Sequence, residues 1–545
     1  MNDQPIESQL ESPFEYYWNY LQQAGLVDER STAFDRVREI VDCSDLDDPQ
    51  QSNDLNNFAV LALVEAEQSD TRDSRAFFVN LALDALNAGW EYDRNLLCAM
   101  HLAIVSAMTG NLEDARETVT SNAIANLDKW FQHDEASTPS LLGLVYLPPV
   151  ANRSQNKALI EFLFNAKNTA QQALALSAEA ICLSQLILYT DYGLRWLNVA
   201  TKLLPSISKY YLSLGVYQAS NGHSEGLLSL HCAYQLDPES PRILQALYLA
   251  YRDLGNDELA RYWLDMARRC RSSDREALEW QWVDLNDLAS YTTLKFDSDI
   301  LLSVEPSFNS IATSVILVEL DWFEKELEFW RNSLQAGMTV IDVGANVGTY
   351  TFSAARKVGS EGRVLAIEPF SKCVKYLKQT CQTNRLDWIT VCEGAASSKN
   401  GSAQLLLHRA NELNEVTIDS SVSGILEDET QYEEIQCFTL DRLVEDHNLE
   451  AVDFLKIDAE GHEMSVLAGA PKLFQRFSPI VLYENIAGRK SRNLPVANCL
   501  RALGYKLFIY QPYLEKLIYL ESDRFLSQTL NVIAVPDQKL DDFLD

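Results

Sequence analysis

The densest group of residues able to do chemistry lies in VIDVGANVGTY (340–350), where Asp342 stands two residues ahead of Gly344, followed by Asn346 and Gly348. A β-branched run followed by two glycines reads as a buried strand ending in a tight turn, with backbone free to approach something closely. Glu368 comes 20 residues after Gly348, at the end of a second apolar run. A carboxylate there can accept both hydroxyls of a ribose, so the two motifs together specify an adenosine-type ligand. The pattern D-x-G-A-N-x-G has Asn346 where dinucleotide binders need the middle glycine of G-x-G-x-x-G to seat a pyrophosphate against backbone N–H groups. Asp342 would repel a diphosphate, but it suits a ligand bearing an ammonium and a sulfonium, as S-adenosyl-L-methionine does.

A second group lies in KIDAEGHE (456–463). If the acceptor of a methyl group is an alcohol, a nearby base helps remove its proton. Asp458, at the end of a strand, is the leading catalytic candidate, with Glu460 beside it because Gly461 lets the loop bend toward a pocket. Asp458 is equally suited to cap the following helix. His462 reads as an ordinary helix-start residue, although an unperturbed imidazole would serve as a base. Asp458, Glu484 and Asn485 together could offer oxygen ligands to Mg²⁺, but the expectation is a site without metal. Ala395 and Ala396, after the third strand, leave room for an adenine ring or serve a tight turn. Asp321 and Glu324 in D-W-F-E have capping-box spacing. The helix they would open carries Phe323, Leu327, Trp330 and Leu334 on one face, as a lid or wall over the cofactor. The long polar stretch 409–434 is expected to be an acceptor lid.

The elements that must position these residues are legible. Strand-like runs VIDV (340–343), RVLAIEP (363–369), WITVCEG (388–394), VDFLKID (452–458) and PIVLYEN (479–485) are separated by stretches such as YTFSAARKVG and KCVKYLKQTCQTN with helical period. That alternation predicts a doubly wound, Rossmann-like parallel sheet. YKLFIYQ and TLNVIAV lack a helix between them and should close the sheet as a pair, the last strand antiparallel.

Taken in order, VIDVGANVGTYT, GRVLAIEP, FTLDRL (438–443), VDFLKIDAEGHEMSVLAGA (452–470) and PIVLYEN resemble the successive blocks of the FkbM family of S-adenosylmethionine-dependent methyltransferases. WFEKELEFWRNSLQAGMTV (322–340) resembles the same family's entry helix, and the resemblance runs over roughly residues 300–535. It implies methyl transfer to oxygen, often on secondary metabolites, sugars or lipids, without fixing the acceptor.

Residues up to about 285 have a different grammar: Leu and Ala at three- and four-residue spacing, with few β-branched runs. YLSLGVYQASNGHSEGLLSLHCAYQLDP (211–238) aligns with LQALYLAYRDLGNDELARYWLDMARR (244–269), Gly222 on Gly255 and Ala233 on Ala267, at offsets of 33 or 34. This resembles the tetratricopeptide repeat, a helical hairpin that presents a concave surface to peptides or proteins. The expected organisation is a helical repeat domain over 1–285 and a methyltransferase domain over 286–545. The repeats would serve protein interaction or self-association. An alternative is an interaction scaffold whose second domain has lost activity.

The formal charge of −33 and the acidic start, with 16 Asp or Glu against 3 Lys or Arg in the first 70 residues, argue against nucleic acid or an anionic membrane surface as main partners. Ten cysteines without a CxxC pair, and no membrane-length apolar run, suggest a soluble cytoplasmic protein.

Overall fold

The computed structural model of the protein describes residues 12–28, 31–131, 142–148, 153–184, 191–271, 277–408, 414–417, 431–485, 493–523, 526 and 529–541. Two compact units divide between Leu214 and Gly215, inside helix Ser208–Ser220. No helix among the described residues is long and apolar enough to cross a membrane.

The first unit is helical. Its Ala- and Leu-rich stretches form helices such as Pro13–Gln23, Ser52–Gln68, Leu96–Met108 and Thr169–Ser184. Asn95 caps the third of these, its side chain accepting from the N–H groups of Leu97 and Cys98. Gly110, just past its end, has φ of 86°, a conformation that costs an L side chain about 1–2 kcal/mol.

Helices Gly226–Leu236, Pro241–Asp253 and Asp257–Cys270 belong to the second unit. Gly222 and Gly255, aligned in the sequence, both adopt positive φ where the first helix of a hairpin ends. At the first hairpin's crossing, a Cβ on Gly226 would lie 2.7 Å from the Gly215 carbonyl oxygen, so the small residue sets the helix spacing. The buried Gln245 amide donates to Thr292 Oγ1 and the Thr293 carbonyl, and Arg242 donates to the Val318 carbonyl. These bonds tie the last hairpin to the strand-containing part of the same unit.

There, β1 (Thr292–Phe296) and β2 (Ile300–Val304) form an antiparallel hairpin. The main sheet contains β3 (Thr339–Val343), β4 (Arg363–Glu368), β5 (Ile389–Glu393), β10 (Phe454–Ile457), β11 (Ile480–Glu484), β12 (Tyr505–Gln511), β13 (Lys516–Tyr519) and β14 (Asn531–Pro536). Its order is β13-β12-β14-β11-β10-β3-β4-β5. From β11 to β5 the strands run parallel, and β14 and β12 close the sheet antiparallel, as the sequence predicts. A smaller sheet, β6-β9-β7-β8, is built from β6 (Ala395–Ala396), β7 (Gly401–Leu407), β8 (Glu415–Thr417) and β9 (Gln431–Phe438). The ends of the stretch expected to be an acceptor lid are therefore strands paired to β7; 409–413 and 418–430 lie outside the described residues. The chain leaves β3 toward β4 and β5, then returns to place β10 on the other side of β3. That reversal opens a crevice beyond the carboxyl ends of β3 and β10, where open α/β sheets bind ligands.

Candidate active site

The residues around this crevice are set by register. Asp342 on β3 is paired with Lys456 on β10 and Ala366 on β4, so the carboxylate and the ammonium project from the same face of neighbouring strands. Both side chains are buried. Asp342 Oδ2 accepts the Thr351 hydroxyl at 2.6 Å, while Oδ1 stands 4.0 Å from Lys456 Nζ and has no hydrogen-bond partner. Lys456 Nζ donates to Asp458 Oδ2 at 2.7 Å and lies 4.8 Å from the centre of the Tyr350 ring. Burial alone would lower the Lys456 pKa, but Asp458, Asp342 and Glu324 overcome it and hold the ammonium above its ordinary value. Asp342 is raised, chiefly by burial, against the opposing pull of Lys456.

The glycines answer to the protein's own backbone. Gly344 has φ of 76°, and a Cβ there would fall 1.7 Å from the Asp458 carbonyl oxygen. Gly348 has φ of 98°, and its Cβ would strike the Phe352 ring at 2.3 Å. What approaches these positions closely is the β10 loop in one case and a helix side chain in the other. Asn346 also has positive φ, at 51°, which Asn tolerates better than most residues. Its N–H donates to Glu368 Oε2 at 2.8 Å, and Phe370 N–H donates to Oε1 at 2.7 Å. Glu368 thus pins the glycine loop to β4, and each oxygen keeps a second lone pair for a hydroxyl donor. Burial pushes its carboxyl up to about 7.

Asp458, Glu460 and Glu484 each bring a carboxylate oxygen within 4.8 Å of the others. Burial, with the charges of Asp458 and Glu463, raises Glu460 to about 8; Glu415 on β8 adds to the rise. Burial, with the charges of Asp458, Glu460 and Glu463, pushes Glu484 to about 11, and its Oε2 is buried without a partner. Glu460 itself has φ of 47°, a strained position held by Glu463 Oε1, which accepts from the Ala459 and Gly461 N–H groups. The three carboxylates could take a divalent cation, although the Lys456 ammonium already sits against one of them.

Three expectations are corrected. Asn485 is not an oxygen ligand in waiting: its amide donates to the Leu526 and Thr529 carbonyls, and its Oδ1 accepts from Asn493 N–H. Glu324 and Asp321 do not form a capping box, because the helix begins later, at Glu326 with Lys325 as its cap residue. Asp321 instead makes a two-bond pair with Arg331. Glu324 accepts from the Tyr350 hydroxyl at 2.7 Å and the Asn531 amide at 3.0 Å. Burial raises it, opposed by Lys456, so Glu324 belongs to the electrostatics of the site. The expected helix face is likewise only partly right in position: Leu327, Trp330 and Leu334 are buried, and Phe323 precedes the helix.

His462 stands at the N-cap position of a short helix without a side-chain cap bond, and its Nε2 pairs with Ser397 Oγ at 3.0 Å. Ala395 and Ala396 are buried in β6, paired with Cys437 and Phe438 of β9. Lys456, Tyr350 and Glu463 escaped sequence reading. A lysine in a four-residue apolar strand flanked by carboxylates two residues away and across the sheet was the available signal for the first.

Comparison with known families bears on the segment that forms this crevice. Residues 342–507 match the methyltransferase FkbM domain. The matched segment opens on Asp342 and closes in β12, so it contains the glycine loop, Glu368, Lys456, Asp458, Glu460 and Glu484; Glu324 and Asn531 come from outside it. Among solved structures, the chain is similar to a methyltransferase FkbM from Methylobacillus flagellatus KT at 16% identity, over 41% of this chain and 52% of that one, with a TM-score of 0.24. An S-adenosylmethionine-dependent methyltransferase from Aquifex aeolicus matches at 18% identity over 39% and 88% of the two chains, TM-score 0.20. A SAM-dependent O-methyltransferase from Thermotoga maritima matches at 15% over 46% and 88%, TM-score 0.22. The chain spans about half the length of the first of these. No curated protein sequence matches it.

Proposed function

We propose that the protein transfers a methyl group from S-adenosyl-L-methionine to a hydroxyl of a small-molecule, sugar or lipid-like acceptor. The observation that carries this reading is the buried Asp342 Oδ1, left without a hydrogen-bond partner beside a glycine loop of an FkbM domain. An orphaned carboxylate oxygen at the switch point of a parallel sheet suits a cationic ligand and opposes a diphosphate.

The methyl donor supplies a methyl group already activated on a sulfonium, so the chain's work is to bind, orient and exclude water. In this reading Gly344, Asn346 and Gly348 shape the loop against the donor, Asp342 meets its positive charge, and Glu368 takes its ribose hydroxyls. Ala395 and Ala396 keep side-chain bulk small on the adenine side. Asp458, oriented by Lys456, and Glu460 face the acceptor. Glu460, with its pKa near 8, is suited to take the acceptor proton. Lys456 supplies a fixed cation among the carboxylates, so methyl transfer should survive exhaustive chelation.

Calorimetric titration tests the donor: binding of S-adenosyl-L-methionine but not of NAD is expected, and Asp342→Asn should weaken it at least tenfold. Binding of NAD alone would sink the reading, and binding of neither would leave the interaction scaffold. Comparing metabolite extracts of strains with and without the gene, for a compound that loses one methyl mass, identifies the acceptor.

A further inference from the structure

The Lys456 ammonium stands near two carboxylates and is committed to one of them. Its Nζ donates to Asp458 Oδ2 at 2.7 Å, while Asp342 Oδ1, buried and 4.0 Å away on the neighbouring strand, keeps no hydrogen-bond partner. Nothing in the strand ladder dictates that choice. Asp342 is the residue directly paired with Lys456 across β3 and β10, and Asp458 follows two positions on, just past the end of β10, so a single ammonium can reach either. A buried carboxylate oxygen left unpaired beside an ammonium is a costly arrangement, and something must hold it.

The group that lies against the ammonium is the buried Tyr350 ring, whose centre is 4.8 Å from Nζ. A cation over an aromatic face is attracted to it, and more strongly away from water. Tyr350 is fixed at three points. Its hydroxyl donates to Glu324 Oε2 at 2.7 Å, Trp330 Nε1 donates to its carbonyl at 3.2 Å, and the Trp330 ring meets it edge-on with centres 5.5 Å apart. Glu324 is held in turn by the Asn531 amide at 3.0 Å. A phenol that donates to a carboxylate has a more electron-rich ring, so the tether also tightens the ring's hold on the cation. The next residue, Thr351, donates to Asp342 Oδ2 at 2.6 Å and fixes the carboxylate whose Oδ1 is left over. Consecutive residues at one helix start therefore hold the ammonium and the carboxylate apart.

Were the ammonium to close on Asp342, the positive charge of a donor would meet a neutralised carboxylate and a like charge beside it. We propose that Tyr350 is a positioning residue of the donor site: its ring, tethered through the hydroxyl to Glu324, commits the Lys456 ammonium to Asp458 and keeps Asp342 Oδ1 open for the positive charge of S-adenosyl-L-methionine. The proposal rests on the methyl-transfer reading. It gives Glu324, which lies outside the matched segment 342–507, a part in donor affinity.

Calorimetric titration of the full chain with two ligands tests it: S-adenosyl-L-methionine, and 5′-methylthioadenosine, which keeps the nucleoside and the sulfur but carries neither ammonium nor sulfonium. Tyr350→Leu removes the ring, and should weaken S-adenosyl-L-methionine roughly tenfold while 5′-methylthioadenosine stays within about twofold of its native affinity. Tyr350→Phe keeps the ring and frees it from Glu324; a loss of roughly threefold, again for the charged ligand only, is expected. In a Lys456→Met background, where no ammonium competes for Asp342, both substitutions should lose their effect. Equal weakening of the two ligands, or a loss that persists undiminished without the lysine, reduces Tyr350 to a packing residue and overturns the proposal. So does native affinity for S-adenosyl-L-methionine in Tyr350→Leu. Should that variant fail to fold, Tyr350→Phe decides, and native affinity there overturns the proposal. The two levels of the argument fail differently. A native chain that binds no S-adenosyl-L-methionine removes the methyl-transfer reading and this proposal with it, whereas a native chain that binds it and is indifferent to Tyr350 removes the proposal alone.

Discussion

Lys456 is the residue on which the charge balance of the crevice turns. It is buried with Asp342 and hydrogen-bonded to Asp458, and Glu324 also feels its charge. Removing one member of a buried ion pair leaves the other uncompensated, at about 3–5 kcal/mol. Lys456→Met should therefore lower unfolding free energy by that order in a denaturant titration, and an unchanged midpoint would show that the carboxylates relax without it. Glu460 makes a separate prediction. With its carboxyl at about 8, it is mostly protonated at neutral pH and becomes a base as pH rises. The rate of methyl transfer should climb through pH 8 and level off above it, and Glu460→Gln should flatten that limb. A limb that persists in the variant assigns the proton to another group.

At the scale of elements, legibility followed period and failed where a local spacing had two readings. β3, β4, β10 and β11 were readable because buried parallel strands concentrate Val, Ile and Leu into short runs. D-W-F-E matched a helix start, yet the turn after Leu320, itself at φ of 61°, carries the chain past Glu324 before the helix begins. Nothing local says that Tyr350 and Asn531 will converge on that glutamate, since they come from a helix start and the last strand of the sheet. The buried 142–148 segment was illegible for a similar reason: its polar partners lie up to 128 residues away. Its His101 contact carries a test. Burial lowers that imidazole to about 3, and its Nε2 must stay unprotonated to accept the Tyr146 N–H. A depressed folded pKa stabilises above the unfolded value of 6.5 and loses ground as pH falls toward 3. By pH 5 the loss is about 2 kcal/mol. His101→Gln, which can keep the bonds to the Tyr146 N–H and to Asn56 Oδ1, should abolish that acid sensitivity in thermal melts; the same slope in the variant would exonerate the histidine.

Across the whole molecule, the two units should answer pH in opposite senses. In the second, burial raises Glu326 and Glu368 from 4.5 to about 7, so the folded form keeps protons that the unfolded chain releases. Their contribution is full below pH 4.5 and is lost as pH rises through about 7. The overall charge of −33 adds self-repulsion in the same direction. Calorimetry between pH 5 and 8 should resolve one component that gains and one that loses stability as pH rises, the falling one rescued by a cationic ligand. A single transition moving one way would contradict this assignment. Composition announced the acidity, but not that carboxylates gather at one crevice, because that depends on which strand ends the fold makes neighbours.

The missing side chain at Gly344 has one more consequence. Because the Asp458 carbonyl nests against that position, the separation between the loops that follow β3 and β10 is gauged by main chain touching main chain, with no side chain in between. Exchanging the Asp458 side chain for Asn or Ala therefore leaves that main-chain contact in place, while it removes a charge from the Lys456 ammonium. On the proposed reading, substitutions at Asp458 test the side chain's charge without removing the main-chain contact at Gly344.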